Sequence, residues 1–395
     1  MLGSIYIGLS GMNAFSKGLQ TISNNVSNMN TSGYKANSVT FSDMFSQGSP
    51  GLSFTPNGSD EQAETGVRLD TPRIDFRQGD LQQTGNALDL AIQGSGFLAL
   101  LNDGNIYYAR TGRFQVDEQG YIVQQGSGYR LAVLDGANQL TAVNVDAKRT
   151  NPPVTTTKIV FADNLSSTAT DATVSNIAVF DTLGGKHVWQ VKFAPVAGTP
   201  GQWTATVTDD AGATVGTGTL NFTGGVIDPA SSKITVTSGT GAAAFDVLLD
   251  FSSGVTSFSS GTVSTIRAAS SDGNAPGALS EVTIDADGQV KLSYTNGKTA
   301  LLGAVAIADF RDPQSLQRTG DGLFQDKIGM DRRLVGSGVE GAGKLVSGEV
   351  ESSNVDLSHE FGELILIQRG FQAASQVVSV SNDMIQQLFA MRGQG

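Results

Sequence analysis

The chain has 395 residues, a net charge of −12 at neutral pH, 16% charged residues, 49 glycines and no cysteine. The length predicts two or three compact units, and abundant glycine with few charges predicts short strands joined by many turns. The acidic balance argues against nucleic acid or an anionic membrane as a partner, and the lack of cysteine excludes disulfides, thiolate metal sites and thiol nucleophiles.

The first predicted element is a long N-terminal helix. Its residues recur every seven positions in two columns three residues apart, which is an a/d heptad pattern. Lys17 is the only charged residue between Met1 and Gly33, whereas a solvated helix normally carries charges on its outer face. The pattern predicts a helix that is surrounded by other protein when functional, or that is poorly folded when alone. The two columns are Ile5, Met12, Leu19 and Val26, and Gly8, Phe15, Ile22 and Met29.

Neither a membrane span nor a cleaved secretory signal is predicted. No stretch reaches the roughly 18 apolar residues that a spanning helix needs. The segment from Met1 to Leu19 lacks the basic region, apolar block and cleavage site of a secretory signal. If the chain is secreted, we expect it to leave the cell by another route.

The middle of the chain changes to a period of two, which predicts half-buried strands. Asp103-Gly104 and Asn296-Gly297 each follow or separate such strands and predict two-residue hairpin turns with positive φ. The sequence therefore predicts a meander-like, mainly β region. The alternating inward residues are Trp189, Val191 and Phe193, then Trp203, Ala205 and Val207, then Val290, Leu292 and Tyr294.

Two breaks rich in Pro, Ser, Thr and Gly, at Asn151–Thr157 and Ala268–Gly277, bracket about 120 residues, the length of one domain. The predicted fold is mainly β with α-helical coiled-coil termini, an elongated subunit in which one β domain is inserted into another. The predicted domains are terminal helices at 1–33 and 357–395, a connecting segment at 34–70 with a hinge-like stretch at Ser46–Gly58, an inner β domain at 71–148 and 277–356, and an outer β domain at 149–276.

The C-terminal helix repeats the heptad pattern of the first. Pairing of the chain's own two ends is one explanation of these seams, and association of many copies is the other. Two helices alone leave much uncharged surface in water, so the pattern favours many copies. The two columns are Leu364, Phe371, Val378 and Ile385, and Ile367, Ala374, Ser381 and Leu388.

The sequence predicts no catalytic, cofactor or metal site, and we expect the protein not to be an enzyme. The two histidines, His187 and His359, are isolated, and a lone histidine is usually a surface or packing residue. No Gly-x-Ser-x-Gly elbow precedes a helix. The G-x-G-x-x-G match at 336–341 leads to no apolar helix, and the calcium-loop-like start at 285–288 lacks its remaining ligands.

The segment from Gly8 to Lys35, GLSGMNAFSKGLQTISNNVSNMNTSGYK, resembles the N-terminal signature of the flagellar rod, hook and hook-associated proteins. Its asparagines can end the helix by bonding the backbone, and Gly33 supplies a permissive cap. A simple helix stop explains Gly33 but not the asparagine cluster followed by tyrosine. The residues that carry the resemblance are Asn24, Asn25, Asn28, Asn30, Thr31, Gly33, Tyr34 and Lys35.

The segment from Leu345 to Arg392 is similar to the C-terminal segment of the same family, and Asn354 or Asp356 is expected to cap the helix. DLAIQGSGFLAL at Asp89–Leu100 and RTGRFQVDEQGYIV at Arg110–Val123 also look like this family. The stretches Val179–Phe193 and Glu281–Phe310 are similar to hook proteins in particular. The C-terminal residues concerned are Ser353, Asn354, Val355, Asp356, Leu357, Gln368 and Arg369.

The resemblance implies a structural subunit of the flagellar hook, which assembles into a curved hollow tube and acts as a universal joint between rod and filament. It implies self-association, and as partners the distal rod, the hook cap, the hook-length control protein, the first hook-associated protein and the export apparatus. It implies an extracellular location reached through type III export without a cleaved signal. A distal-rod subunit, and a surface adhesin with coiled-coil ends, are the alternatives.

Overall fold

A computed structural model describes residues 2–45, 64–239, 244–326, 331–339 and 341–392. The predicted hinge at Ser46–Gly58 lies outside the described residues. The chain divides into two compact units: unit 1 contains 1–146, 282–291 and 301–395, and unit 2 contains 147–281 and 292–300. The described helices include none with the length and apolar content needed to cross a membrane.

Two long helices in unit 1 confirm the predicted helical ends. α1 spans Leu2–Ser27 and α2 spans Leu357–Arg392, so their lengths are about 39 Å and 54 Å at 1.5 Å per residue. They pack antiparallel: as the residue number increases along α1, the number of the facing residue on α2 decreases. From one end of the seam to the other, the facing residues are Ser4 and Ser381, Gly8 and Val378, Gly11 and Ala374, Gly18 and Ile367, and Asn25 and Glu360.

Glycine sets the close approach of the two helices. A Cβ atom on Gly8 would lie 2.6 Å from Cγ2 of Val378, and one on Gly370 would lie 2.5 Å from the Phe15 ring. Both distances are shorter than a carbon–carbon contact allows. The contact between the two helices therefore depends on glycines, which a heptad pattern of large apolar residues does not include.

Replacing Gly8 by leucine is expected to force the helices apart and to destabilise their pairing by about 1–3 kcal/mol, the usual cost of overpacking. Gly362 of α2 is the matched control, since a Cβ there would meet nothing within 4 Å. Gly362→Ala should raise helix stability by up to about 1 kcal/mol. Thermal melting followed by far-ultraviolet circular dichroism compares the two variants, and equal melting temperatures would contradict the role given to Gly8.

The strands of unit 1 before the first unit boundary run as follows: β1 (Asn37–Ser38), β2 (Phe41–Phe45), β3 (Glu64–Leu69), β4 (Arg73–Ile74), β5 (Leu81–Gln83), β6 (Asp89–Gln93), β7 (Phe97–Asn102), β8 (Asn105–Ala109), β9 (Thr111–Val116), β10 (Ile122–Gln124), β11 (Arg130–Leu134) and β12 (Leu140–Ala142). β2 and β3 pair antiparallel, and β3 lies against α1. Phe41 of β2 packs on Phe15 of α1 with ring centroids 5.2 Å apart.

The later strands of unit 1 are β27 (Ile307–Phe310), β28 (Gln317–Gly320), β29 (Leu323–Gln325), β30 (Arg332–Val335), β31 (Lys344–Ser347) and β32 (Glu349–Glu351). Three strands carry residues of both units: β24 (Gly277–Ile284), β25 (Gln289–Tyr294) and β26 (Thr299–Val305). Within unit 1 the sheet order is β26-β11-β10-β9-β6-β31. An aromatic cluster centred on Phe97, Tyr108, Phe310 and Phe324 is buried there.

The remaining strands belong to unit 2: β13 (Thr150–Asn151), β14 (Lys158–Asn164), β15 (Ala172–Phe180), β16 (Lys186–Pro195), β17 (Gln202–Thr208), β18 (Thr214–Thr223), β19 (Val226–Ile227), β20 (Lys233–Ser238), β21 (Phe245–Asp250), β22 (Val255–Thr256) and β23 (Arg267–Ser271). β15 to β18 form the predicted antiparallel meander. β14 lies between β21 and β22 in the sheet and is parallel to both.

The alternation predicted for β16, β17 and β25 is confirmed, because every residue predicted to point inward is buried. Trp189 and Trp203, both in unit 2, are almost completely enclosed. Each belongs to a continuous apolar cluster that also contains Phe161, Phe193 and Phe251. Burial of alternate side chains against one face therefore fixes the register of these strands.

One of the two predicted hairpin turns has the expected geometry. Asp103 and Gly104 have φ of 48° and 79°, as a two-residue turn of this kind requires. The prediction for Asn296-Gly297 was wrong, since Gly297 alone has positive φ, at 75°, and its N–H donates to the carbonyl of Tyr294 at 2.9 Å. This is a three-residue connection in which Gly297 takes the left-handed position after an ordinary turn.

Candidate functional site: the junction of the terminal motifs

The two terminal motifs meet at one junction in unit 1, and Asn25 is at its centre. The Asn25 side chain donates to Oε1 of Glu360 and to the Asn37 carbonyl, both at 2.9 Å. Its oxygen accepts from the Tyr34 hydroxyl at 3.2 Å and from the Asn37 N–H at 3.0 Å. Asn25 is 1% exposed, so all its hydrogen bonds are made inside the protein. One asparagine thus ties the end of α1 to the start of α2.

The asparagines and Gly33 end α1 as the sequence predicted, but α1 stops before Met29. The Asn28 amide and side chain both donate to the Asn24 carbonyl, at 3.2 Å and 2.9 Å. Gly33 has φ of 70°, and its N–H donates to the carbonyl of Glu351 at 2.7 Å. Met29 therefore lies beyond α1, in the turn that this bonding creates, and outside the heptad seam.

Three buried charges lie beneath this turn. Lys35 Nζ is 2.6 Å from Oε1 of Glu351, and Nε of Arg110 is 3.4 Å from Oε2. The side chains of Lys35 and Glu351 are fully buried, and that of Arg110 is 1% exposed. The Gly79 N–H also donates to Oε1 of Glu351, at 2.8 Å. One carboxylate from the C-terminal segment thus receives a cation from each of two earlier segments.

Backbone carbonyls satisfy much of the remaining charge. Lys35 donates to the Arg77 carbonyl at 2.7 Å, and Arg110 donates to the carbonyls of Gly96, Ile92 and Gly94. Burial lowers the pKa of both Lys35 and Arg110, while the charge of Glu351 acts in the opposite direction. Because Glu351 is the counter-ion of both, its loss would leave two cations buried without one.

Asn354 and Asp356 have different roles at the start of α2. Asp356 is the cap, since its Oδ1 accepts from the N–H groups of Ser358 at 2.8 Å and His359 at 3.3 Å. Asn354 instead joins the residues next to β1 and β4: its oxygen accepts from the Ala36 N–H at 2.8 Å, and its nitrogen donates to the Asp75 carbonyl at 2.7 Å. Of the two predicted caps, Asp356 is the one that the geometry supports.

Other motif residues lie at the margin of the junction or away from it. Asn24, Asn30, Thr31, Leu357, Gln368 and Arg369 are exposed, and Ser353 and Val355 are half-buried. The residues that the sequence analysis missed are Arg110 and Glu351. Their signal was weak, because a buried ion pair between positions this far apart has no local periodicity. Arg110 does begin the family-like stretch at 110–123, which marked the segment but not the residue.

Glu360 makes the junction sensitive to pH. Burial raises the pKa of Glu360, with Glu363 and Asp356 adding to the rise and Asn25 and His359 opposing it. Folding therefore favours the protonated carboxyl. The contribution of Glu360 to the free energy of unfolding is therefore complete below the pKa of an unfolded glutamic acid, about 4.3. It is lost as the pH rises through the folded-state pKa of Glu360.

Glu360→Gln is therefore expected to melt at a higher temperature than the parent at pH 7, because an uncharged amide can still accept the Asn25 hydrogen bond. Below about pH 4 the two proteins should melt together. Glu363→Gln is the control, since Glu363 pairs with His359 near the surface and should show no such gain. A Glu360→Gln variant that is less stable than the parent at pH 7 would refute the assignment.

The helices leave large apolar side chains in water. On α1 these are Tyr6, Ile7, Leu9 and Leu19, and on α2 they are Leu357, Phe361, Ile365, Leu366, Phe371, Val377, Val380, Met384, Leu388 and Phe389. Exposed apolar surface of this kind commonly marks a site of protein–protein interaction. This surface is the second part of the candidate site, and it lies on the helices that the sequence predicted to be covered by other protein.

The pairing seam within the chain uses only some of the predicted columns. Gly8 and Phe15 face α2 and Ile22 is buried, but Gly11 and Gly18 face α2 where Met12 and Leu19 were predicted. On α2 the predicted Ile367, Ala374, Val378 and Ser381 face α1, and Ile385 is half-buried. The predicted Ile5, Met12, Val26 and Leu364 are half-buried, while Leu19, Phe371 and Leu388 are 36%, 42% and 48% exposed.

The histidines have ordinary surface partners. His187 lies 3.2 Å from Oδ2 of Asp181, and His359 lies 3.3 Å from Oε1 of Glu363. Among the residues that the structure describes, no group of three or more His, Asp or Glu side chains is arranged to hold a metal ion.

Four family models match successive segments of the chain. They are the flagella basal body rod protein at residues 5–35, the hook protein FlgE/F/G D1 domain at 91–174, the basal body protein FlaE D2 domain at 144–274, and the basal body rod FlgEFG protein C-terminal at 346–391. The first and last contain the two motifs that meet at the junction. The chain belongs to the family of flagellar rod and hook proteins.

Relatives that match over nearly the whole chain are flagellar hook proteins. FlgE of Treponema pallidum is 29% identical, with 99% of this chain and 100% of that protein covered. FlgE of Borreliella burgdorferi is 27% identical, with 99% of this chain and 100% of that protein covered. FlgE of Escherichia coli is 29% identical, with 97% of this chain and 98% of that protein covered. A crystal structure of Helicobacter pylori FlgE2 is similar at 13% identity and a TM-score of 0.47, covering 69% of this chain and 99% of that one.

Proposed function

We propose that this chain is a structural subunit of the flagellar hook, which self-assembles into a curved hollow helical tube and transmits torque from rod to filament as a universal joint. Hook proteins that match from end to end support this role. The structural observation that carries it is the exposed apolar surface of α1 and α2. Contacts between unlike patches on neighbouring copies would cover this surface and would build an open helix.

The terminal helices are proposed to form the inner tube. The columns predicted as an assembly seam include Leu19, Phe371 and Leu388, which the chain itself leaves exposed. The inner β domain would form a second layer and the outer β domain the surface. Small shifts between rigid domains would then allow the tube to bend as it rotates.

The flagellum is the location that the relatives support. We infer, more finely, that the subunit is extracellular and is exported by the type III apparatus without a cleaved signal. Its proposed partners are further copies of itself, the distal rod, the hook cap, the hook-length control protein, the first hook-associated protein and the export apparatus. The proposed role is structural, with no catalysis.

Electron microscopy of the purified full-length chain after concentration tests this function. Curved tubes are the expected result. Straight rods would instead support the distal-rod alternative. Soluble monomers that bind glycans and form no filament would support the adhesin alternative, and either outcome would overturn the hook assignment.

A further inference from the structure

A groove in unit 1 lies between α1 and β3. It has a volume of about 370 Å³, and Tyr6, Leu9 and Lys17 of α1 line one wall, with Val67 and Arg68 of β3 on the other. Tyr6 is 56% exposed and Leu9 is 50% exposed. Tyr6 to Lys17 covers eleven residues of rise, so the groove follows α1 for about 16 Å.

The charge of the groove is unusual for this protein. Lys17 and Arg68 line it, and no carboxylate does among the described residues, although the chain as a whole carries −12. The N–H of Val67 donates to Oγ of Ser10 at 3.3 Å, which holds β3 beside the middle of the α1 segment. Arg68 therefore lies near the centre of the groove and Lys17 near one end.

The C-terminal half of α2 has matching length and charge. Val377, Val380, Met384 and Leu388 are 44%, 45%, 52% and 48% exposed. Their spacing of three, four and four places them on one helical face about 16 Å long. We call these four residues the α2 stripe. Asp383 is the only acidic residue between Gly370 and Arg392, and it flanks the middle of the stripe.

The α2 stripe is not the face that pairs with α1 in the same chain. That pairing uses Ala374, Val378 and Ser381. The groove, whose lining mixes apolar and polar residues, and the apolar stripe are thus two different surfaces of one chain. Arg68 lies near the centre of the groove, and Asp383 lies at the edge of the stripe, about 100° around the helix from Met384. Unlike surfaces that fit each other are what a repeating heterologous contact requires.

We propose that the groove between α1 and β3 receives the α2 stripe of a second copy of this chain, with Asp383 of that copy facing Arg68 and Lys17. The stripe lies in the groove as an amphipathic helix whose anchors are spaced at i, i+3, i+7 and i+11. The charges fix its register and orientation more than its affinity. The proposal rests on the proposed self-assembly, since it names one contact within that polymer.

Disulfide trapping tests the contact directly, because the chain has no cysteine. Asn13→Cys places a thiol in the groove, and Met384→Cys places one on the stripe. The two single-cysteine proteins, carrying tags of different length, are mixed, assembled into tubes and oxidised. The expected product is a cross-linked heterodimer. Ser379→Cys is the control, since Ser379 is exposed and lies about 140° around the helix from Met384.

A second measurement tests the charges. Asp383→Lys is expected to raise the chain concentration needed for assembly about tenfold, which is about 1.4 kcal/mol. Adding Arg68→Asp to the same chain should recover most of the loss. Tubes with no Asn13–Met384 cross-link, or with equal cross-linking of the Ser379 control, would overturn this contact and leave the hook assignment intact. Failure of the unaltered chain to form tubes would overturn both.

Discussion

Glu351→Leu is expected to unfold unit 1 while unit 2 stays folded. The substitution leaves Lys35 and Arg110 buried without their counter-ion. Breaking a buried pair in this way costs about 3–5 kcal/mol, a large part of the roughly 5–15 kcal/mol that stabilises a typical domain.

Two spectroscopic signals separate the units in this experiment. Trp189 and Trp203 are the only tryptophans, and both belong to unit 2. The long helices belong to unit 1. The transition in tryptophan fluorescence should therefore occur at the same denaturant concentration as in the parent. The helical circular dichroism signal should be lost at a much lower denaturant concentration than in the parent. Glu349→Leu is the control, because Glu349 is only half-buried; equal loss in both variants would remove Glu351 from its central role.

Phe371→Asp is expected to abolish tubes while leaving the monomer folded. Phe371 is 42% exposed in the single chain, so water can still hydrate an aspartate there before assembly. If neighbouring copies cover this position in the tube, the carboxylate becomes buried without a partner, at a cost of several kcal/mol for each subunit. The same reasoning applies to Leu19→Asp.

Sedimentation and electron microscopy measure tube formation by Phe371→Asp, and circular dichroism checks that the helices remain. Gln372→Asp is the matched control, since it adds the same charge at an adjacent exposed position outside the predicted columns. We expect Gln372→Asp to assemble at no more than a few times the parent concentration. Normal tubes from Phe371→Asp would show that this part of α2 faces water in the polymer.

Periodicity made both helices and several of the strands predictable. The heptads located both helices, and the alternation at Trp189 and Trp203 located two central strands with the correct buried face. These patterns are visible because burial of one face repeats at the period of the element itself. The predicted start of the C-terminal helix at residue 357 agrees with α2. The capping residue Asp356 gives a local signal for this boundary.

The tertiary details of the site were less predictable. Gly11 and Gly18 face α2, and the prediction chose Met12 and Leu19 because it looked for large apolar side chains. Small residues repeated at helical spacing would have revealed this seam, since they permit close helix packing. The ion pair of Glu351 was not predictable, because its two cations lie 316 and 241 positions earlier in the chain and follow no periodic rule.

The bond between Lys35 and Glu351 joins residues separated by 316 positions, and this separation has a consequence for the order of folding. In a polypeptide that emerges N-terminus first, Lys35 and Arg110 emerge long before Glu351, whose carboxylate they share. Unit 1 can then complete its fold only when about the last tenth of the chain emerges. Most of unit 2, in contrast, is one contiguous stretch, 147–281. Because Asn25 bonds Glu360 and Gly8 packs against Val378, α1 reaches its native contacts only after this final segment has emerged.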